Sequence, residues 1–381
     1  MFASRIVLKN WRNFRAADVQ LTDRVFVVGP NASGKSNFLD VFRFLRDIAK
    51  PGGGLQKAVV ARGGVSKIRC LSARREPNIE IEIHISESVN RSALWRYEIG
   101  VKQETRGNRQ PKLAYERVYK EDKLILDRPD EFDKNDDVRL TQTHLEQIVA
   151  NLSFRDIAKF FESVLYLHLV PQLLRHPEAF SGPAIPEDPF GRSFLERVAK
   201  TPEKTRRARL LKIEEALKFA VPQLKKLSDV RDELGVPHLE AVYEHWRPNA
   251  GKQREDQFSD GTLRLIGLFW ALLETDSLLL LEEPELSLNS GIVSRLPSIM
   301  YRLQRQKRRQ VVISTHSYEL LSDQGISPDE VLILSPSSEG TTISVASSIK
   351  EVELLLDKGL TIADAVLPRT VPQGVEQLTF L

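Results

Sequence analysis

An α/β fold with an antiparallel β subdomain and a helical insertion is predicted by three observations. Val25 to Val28 is an apolar run leading straight into Gly29-Pro30-Asn31-Ala32-Ser33-Gly34-Lys35-Ser36, and an amphipathic helix follows. Leu278 to Leu281 is a second continuous apolar run, ending in Glu282-Glu283-Pro284-Glu285, as strands buried on both faces of a parallel sheet do. Ile79, Ile81, Ile83 and Ile85 alternate with Glu80, Glu82 and His84, the pattern of a half-exposed antiparallel strand.

In chain order, Ile6 to Lys9 reads as the first strand. Trp11-Arg12-Asn13-Phe14 and a second strand towards Arg24 follow. Gly29 to Ser36 fits G-x-x-x-x-G-K-[ST] at every fixed position, and strand, loop and helix come in the order a phosphate loop requires. Its glycines let successive N–H groups converge on an anion, and the helix N-terminus adds a favourable dipole. Lys35 suits β- and γ-phosphate oxygens, and Ser36 suits Mg²⁺. Phe38, Leu39, Phe42 and Leu45 share the apolar face of a helix over Lys35 to Leu45.

Glycines at 52 to 54 and Gly63-Gly64 mark loops. Leu94 to Val101 and Leu113 to Tyr119 extend the antiparallel sheet, and Leu140 to Leu165 turns helical. Leu165 to Val170 reads as a strand ending at Pro171-Gln172. Pro177, Pro183, Pro186 and Pro189, with Gly182 and Gly191, mark an irregular connection. A helical period returns from Phe194 to Leu227, broken at Pro202 and Pro222. These elements divide the chain into an N-terminal lobe 1–175, a helical insertion 176–250 and a C-terminal lobe 251–381.

At 381 residues the chain exceeds the size at which one core keeps growing, so two lobes are expected. A hydrophobic content of 41% with 28% charged residues describes a soluble globular protein. The net charge of +3 does not demand nucleic acid as a partner; any DNA contact would come from local patches. Cys70 stands alone, which excludes an internal disulfide, suits a reducing cytoplasm and reads as a small buried hydrophobe. No apolar stretch approaches the roughly 20 residues that span a bilayer, and Met1 to Ile6 lacks a signal-peptide core. A cytoplasmic protein away from the membrane is expected. His84 faces out among glutamates, and the histidines form no zinc-ligand spacing.

Delivering Glu282 and Glu283 at the C-terminal end of a buried strand places acids where parallel sheets bind ligands. Glu282 reads as the Mg²⁺-side acid and Glu283 as the base that orients or deprotonates water. Val311 to Ser314 is a further strand closing in Thr315-His316-Ser317, and a histidine there can donate to a γ-phosphate. Phe258-Ser259-Asp260-Gly261-Thr262 opens an apolar helix through Leu273; local sequence does not separate a helix cap from an anion site at Ser259.

Taken in order, Gly29 to Ser36, Ser259-Asp260-Gly261-Thr262, Glu282 to Glu285 and Thr315-His316-Ser317 resemble an ABC-type ATPase head, a P-loop NTPase. The resemblance is to the SMC, RecF and overcoming-lysogenisation-defect (OLD) branch, and Arg12-Asn13-Phe14 and Asn37 fit it. Lys120 to Asp256 matches only loosely. The resemblance implies ATP and Mg²⁺ as cofactors, with two heads sandwiching two nucleotides. Arg12, Asn13, Asn31, Ala32, Ser33, Gly34, Lys35, Ser36 and Asn37 would then bind ATP. Lys35, Glu283 and His316 would be catalytic in cis, Ser36 and Glu282 would hold the metal, and Ser259, Asp260, Gly261 and Thr262 would act in trans. Gln172 is the candidate for the metal-side glutamine.

Three departures stand out. The family's usual Asp-Glu pair is Glu282-Glu283, as in OLD-like members. Leu286-Ser287-Leu288-Asn289 replaces a frequent Leu-His-Pro, and the metal-side glutamine has no firm position. A transporter subunit would carry Leu-Ser-Gly-Gly-Gln, and a GTPase Asn-Lys-x-Asp; neither occurs. A nuclease in cis is disfavoured, since little chain follows His316 and it lacks Asp-x-Asp. The leading expectation is a homodimerising ATPase that controls a separate effector, plausibly a nuclease, in anti-phage defence or DNA maintenance. The alternative is a RecF-like DNA clamp in DNA repair. It would use Lys204, Arg206, Arg207 and Arg209, or Arg302, Arg305, Lys307, Arg308 and Arg309, although such runs also read as solvated helix faces.

Overall fold

The computed structural model describes the chain apart from residues 74–77, 89–91, 105–108, 177–187, 189, 248–250, 275–276 and 372–381. It divides into two compact units. The first is Met1–Leu165, Ser277–Leu280 and Arg308–Leu381, and the second is Tyr166–Asp276 and Leu281–Lys307. The segments 1–175, 176–250 and 251–381 cut across this division, because the chain leaves each unit and returns to it.

The first unit opens with a hairpin, β1 (Phe2–Trp11) and β2 (Phe14–Gln20), whose tight turn uses a left-handed Arg12 with φ 52°. The strand β3 (Arg24–Val28) is buried along its whole length and leads into α1 (Lys35–Ala49). Short helices α2 (Leu55–Val60) and α3 (Val65–Ile68) follow. Next come β4 (Ile79–Ser86), β5 (Trp95–Gln103), β6 (Pro111–Lys120) and β7 (Lys123–Arg128). Among the described residues these complete an antiparallel sheet of order β2-β1-β4-β5-β6-β7. The alternation behaves as read: Ile79, Ile81, Ile83 and Ile85 are buried, and His84 meets Glu82 at 2.6 Å on the other face.

The stretch from Leu140 to Leu165 is helical only in part. A short helix, α4 (Glu131–Asn135), precedes it, and regular α-helix within it is confined to α5 (Arg155–Glu162). The reason lies in side chains that take up backbone donors: Glu116 accepts from the N–H groups of His144 and Leu145, and Glu146 accepts from that of Thr143. The strand β8 (Leu165–Leu167) then ends sooner than the expected Val170.

The second unit continues with α6 (Pro171–Arg175), and of the proline-marked connection Pro177, Gly182, Pro183, Pro186 and Pro189 lie outside the described residues. Two helices break where the prolines predict, α7 (Phe194–Lys200) and α8 (Glu203–Ala220). The helical period expected as far as Leu227 ends at Ala220, and among the described residues the rest of the insertion is not helical. An antiparallel sheet of order β11-β10-β9 forms from β9 (Leu224–Arg231), β10 (Pro237–Tyr243) and β11 (Lys252–Arg254). Leu224 and Leu227, three apart, mimic a helical face. A bulge at Lys225, where Tyr243 pairs with Leu224 and Val242 with Lys226, buries both leucines from a strand. The helix α9 (Asp260–Glu274) is buried continuously from Thr262 to Leu273 and packs against α6 and α8. A helix apolar all round is a core helix, which this composition predicts.

The strand β12 (Leu279–Glu282) begins in the first unit and ends in the second, where α10 (Ser290–Val293) and α11 (Leu296–Lys307) follow. Back in the first unit come β13 (Val311–Thr315), α12 (Tyr318–Leu321), β14 (Val331–Ser337), β15 (Gly340–Val345), α13 (Lys350–Asp357) and α14 (Ile362–Val366). A second sheet has the order β15-β14-β3-β13-β12-β8, with β13 and β14 parallel to β3 on its two sides. Within the first unit, Leu165 N–H donates to Leu278 O at 2.9 Å and Leu279 N–H to Gln310 O at 2.9 Å. Cys70 is buried, and among the described residues no helix is long and apolar enough to cross a membrane.

Candidate functional site

Flanked by two parallel neighbours, β3 delivers the chain to Gly29 at the C-terminal edge of its sheet. A Cβ on Gly29 would lie 2.6 Å from Ser33 Oγ and 2.8 Å from the Leu334 carbonyl oxygen, so only glycine fits. Ala32 and Gly34 are left-handed, with φ 61° and 100°, and they curl the backbone as a phosphate nest requires, while Ser33 N–H donates to Pro30 O at 3.2 Å. No side chain caps α1 at Gly34, and a helix start without a side-chain cap suits an anion. Lys35 is 8% exposed, and its ammonium donates to the carbonyl oxygens of Gly29 at 2.9 Å and Pro30 at 3.2 Å. Asn31, Ala32 and Ser36 are exposed, while the buried Ser33 hydroxyl has no hydrogen-bond partner among the described residues. A concave loop of donors closed by an ammonium fits a polyphosphate.

The loop is held from behind by the turn between β1 and β2. Asn13 donates to Ser33 O at 2.8 Å and to Thr341 Oγ1 at 2.7 Å, and accepts from Asn37 Nδ2 at 2.8 Å. Thr341 in turn donates to Ser33 O at 2.9 Å. Trp11 Nε1 donates to Asn37 O at 2.8 Å, and its ring meets Phe44 at 5.2 Å. Arg12 reaches Asp40 at 3.1 Å, and Arg62 grips the same carboxylate at 2.8 and 2.9 Å. Burial pushes the Asp40 carboxyl up, but Arg62, Arg43 and Arg12 outweigh it and hold the group below its ordinary value. Arg12, Asn13 and Asn37 are therefore brought to the loop as its brace.

His316 arrives at the same sheet edge. Thr315 pairs with Val28 across the parallel strands, so the residues that follow them, His316 and Gly29, emerge side by side in sequence register. Thr315 Oγ1 accepts from Ser317 N–H at 3.0 Å, and Ser317 caps α12 by accepting from Leu320 N–H at 3.2 Å. This fixes the turn and leaves His316 exposed at its tip.

In the second unit, β12 carries Glu282 at its end, and Glu283 follows with φ 44°. A glutamate held left-handed is a strained backbone of the kind that collects at functional sites. The Tyr166 hydroxyl donates to Glu282 Oε2, and His168 Nδ1 lies 3.3 Å from the Glu282 carbonyl oxygen. Ser259 caps α9: its Oγ accepts from Thr262 N–H at 3.1 Å and lies 2.8 Å from Thr262 Oγ1. Asp260 is held by Arg175 at 2.7 Å and Gln172 at 3.0 Å, so Gln172, in the first turn of α6, faces the Ser259–Thr262 segment. Gly261 packs on the acid turn, where a Cβ would lie 2.9 Å from Ser287 O. One turn along α9, Arg264 is 8% exposed and lines a small void with Leu167, Leu169, Leu268, Leu281, Glu282 and Pro284. Burial lowers its pKa, against the charges of Asp260, Glu285 and Glu283.

Tyr166, His168, Arg175, Arg264, Asp40 and Thr341 escaped the sequence reading. Tyr166 and His168 did carry a signal, being polar at alternate positions of an apolar strand. Of the basic clusters, Arg206 pairs with Asp229 at 2.8 Å, Arg207 with Glu203 at 2.6 Å, and Arg209 donates to Glu274 O at 2.8 Å. Arg309 is buried and donates to Ser277 O at 2.8 Å, and the side chains of Arg305 and Lys307 lie outside the described residues.

Comparison with known proteins agrees with this architecture. The chain is similar to a crystal structure of an SMC head bound to the C-winged helix domain of ScpA, with a TM-score of 0.58 at 12% identity over 92% of this chain and 100% of that one. The SMC head domain from Thermotoga maritima matches with a TM-score of 0.48 at 13% identity over 91% and 99% of the two chains. An SMC head with an extended coiled coil, bound to the C-terminal domain of ScpA derived from Pyrococcus furiosus, matches with 0.49 at 12% over 93% and 99%. The first of these shows that the chain has the fold of an SMC head; no curated protein matches the chain. A family model matches residues 24–322, from β3 through the phosphate loop and both acids to α12, and the chain belongs to that family, described as "AAA domain, putative AbiEii toxin, Type IV TA system".

Proposed function

We propose that this chain binds ATP with Mg²⁺ and hydrolyses it, and that ATP-dependent pairing of two copies controls a separate effector protein. The observation that carries this reading is the phosphate loop, whose left-handed Ala32 and Gly34 curl the backbone at the start of α1 beside the ammonium of Lys35. A triphosphate suits such a nest, and Mg²⁺, with Ser36 and Glu282 as the residues that would hold it, would neutralise part of its charge. In this proposal Asn31 to Asn37 surround the phosphates, Lys35 balances their charge and Ser36 offers its hydroxyl to the metal. Glu282 would accept hydrogen bonds from water on the metal. Glu283 orients and deprotonates the attacking water, and His316 donates to the γ-phosphate. Ser259, Asp260, Gly261 and Thr262 serve the nucleotide of the second copy, and Gln172 would have to leave Asp260 to serve the metal. Motif order and family membership support these roles.

The effector class we propose is a nuclease acting in anti-phage defence or DNA maintenance. An SMC head bound to a domain of ScpA gives a precedent for a head with a protein partner. A RecF-like DNA clamp is less well supported, since Arg206 is paired with Asp229 and Arg209 is held by the Glu274 carbonyl, which leaves Arg207, in a surface pair with Glu203, as the accessible arginine of the three. Lys35→Ala should abolish ATP binding. Glu283→Gln should bind ATP, slow hydrolysis at least about 100-fold and accumulate dimer in light scattering. Wild-type hydrolysis by Glu283→Gln would remove Glu283 as the base, and a wild-type chain that binds no ATP would refute the whole reading.

A further inference from the structure

We propose that Tyr166 is a positioning residue for Glu282, whose hydroxyl fixes that carboxylate for a divalent cation. The inference rests on the reading of Glu282 as the metal-side acid. From β8, Tyr166 donates to Glu282 Oε2 while His168, two residues on, meets the Glu282 carbonyl oxygen at 3.3 Å. One edge of chain therefore holds both the side chain and the main chain of the same residue, immediately before the strained Glu283. Tyr166 is 6% exposed, and the void beside Glu282 is walled by Leu167, Leu169, Leu268 and Leu281 together with the buried Arg264. In such surroundings a hydrogen bond to a carboxylate is stronger than in water.

Length matters to this pairing. An aspartate at 282 would end one C–C bond, about 1.5 Å, short of the hydroxyl, so the glutamate and the tyrosine form a matched couple. That couple accounts for a longer acid where the related pattern has Asp.

The test is Mn²⁺ binding, read by electron paramagnetic resonance with a non-hydrolysable ATP analogue present. Tyr166→Phe should raise the Mn²⁺ dissociation constant about tenfold, as loss of a ligand's hydrogen-bond partner does, with the metal-free affinity for the analogue and the melting temperature unchanged. Glu282→Asp should weaken Mn²⁺ comparably, and adding Tyr166→Phe to it should cost nothing more. Mn²⁺ binding by Tyr166→Phe equal to or tighter than wild type would overturn this inference and leave ATP binding standing, as would additive losses in the double variant. A wild-type chain that takes up no Mn²⁺ with the analogue would overturn both.

Discussion

His144 sits at the edge of a buried charge cluster in which Arg128 bonds Glu116 at 3.1 Å and Asp133 at 2.8 Å, and its backbone N–H donates to Glu116 at 2.7 Å. Burial, and then the charge of Arg128, lowers the imidazole pKa from an ordinary 6.5 to about 4. The folded chain thus keeps His144 neutral where the unfolded chain protonates it, so this group withdraws stability as pH falls from about 6.5 towards 4. Glu116, raised by its own burial, works in the opposite sense, so the variant rather than the bare slope is the measurement. Melting temperatures at pH 7 and pH 5 should differ less for His144→Gln than for wild type; an unchanged difference would show that His144 is protonated in the fold. Single residues of this kind are the least legible in sequence. A histidine flanked by Thr143 and Leu145 says nothing of Arg128, sixteen positions earlier. Likewise Asn13 reads as a nucleotide contact until its amide is seen spent on Ser33, Asn37 and Thr341.

Among the elements, α9 shows how closely two motifs share one scaffold. Its first turn brings Gly261 so near the acid turn that a Cβ would stand 2.9 Å from the Ser287 backbone oxygen. Gly261→Ala must shift that backbone, because no flexible side chain is there to yield, and should cost about 1–3 kcal/mol in urea unfolding. Wild-type stability in the variant would mean that the turn after Glu285 gives way freely. Elements carried by unbroken apolar runs, β3, β12 and β13, were legible, as were the phosphate loop and the breaks at Pro202 and Pro222. Those that failed did so for local reasons. The bulge at Lys225 gives β9 a helical spacing, and the carboxylates of Glu116 and Glu146 unwind what apolar spacing suggests is helix before α5. The hairpin of β14 and β15 went unplaced because it carries no motif, although β14 borders β3.

For the whole molecule, the division into two units follows from a chain that passes between them after residues 165, 276, 280 and 307. Length pointed to more than one lobe, but a linear reading assigns contiguous segments and cannot show such returns. The first unit owes its site to them. Thr341 on β15 bonds both Asn13 and Ser33, 328 and 308 positions away. Thr341→Val, which keeps the shape and removes both hydrogen bonds of the hydroxyl, should weaken ATP binding about fivefold, roughly 1 kcal/mol. Equal affinity in a calorimetric titration would show that the loop stands without it. This brace also bears on the order of events at the ribosome. A nascent chain has its entire phosphate loop outside the exit tunnel long before Thr341 is synthesised, yet lacks the side chain that closes the brace. Tight ATP capture should therefore await the synthesis of Thr341, and a truncated product that carries the whole motif but stops before Thr341 would compete poorly for nucleotide.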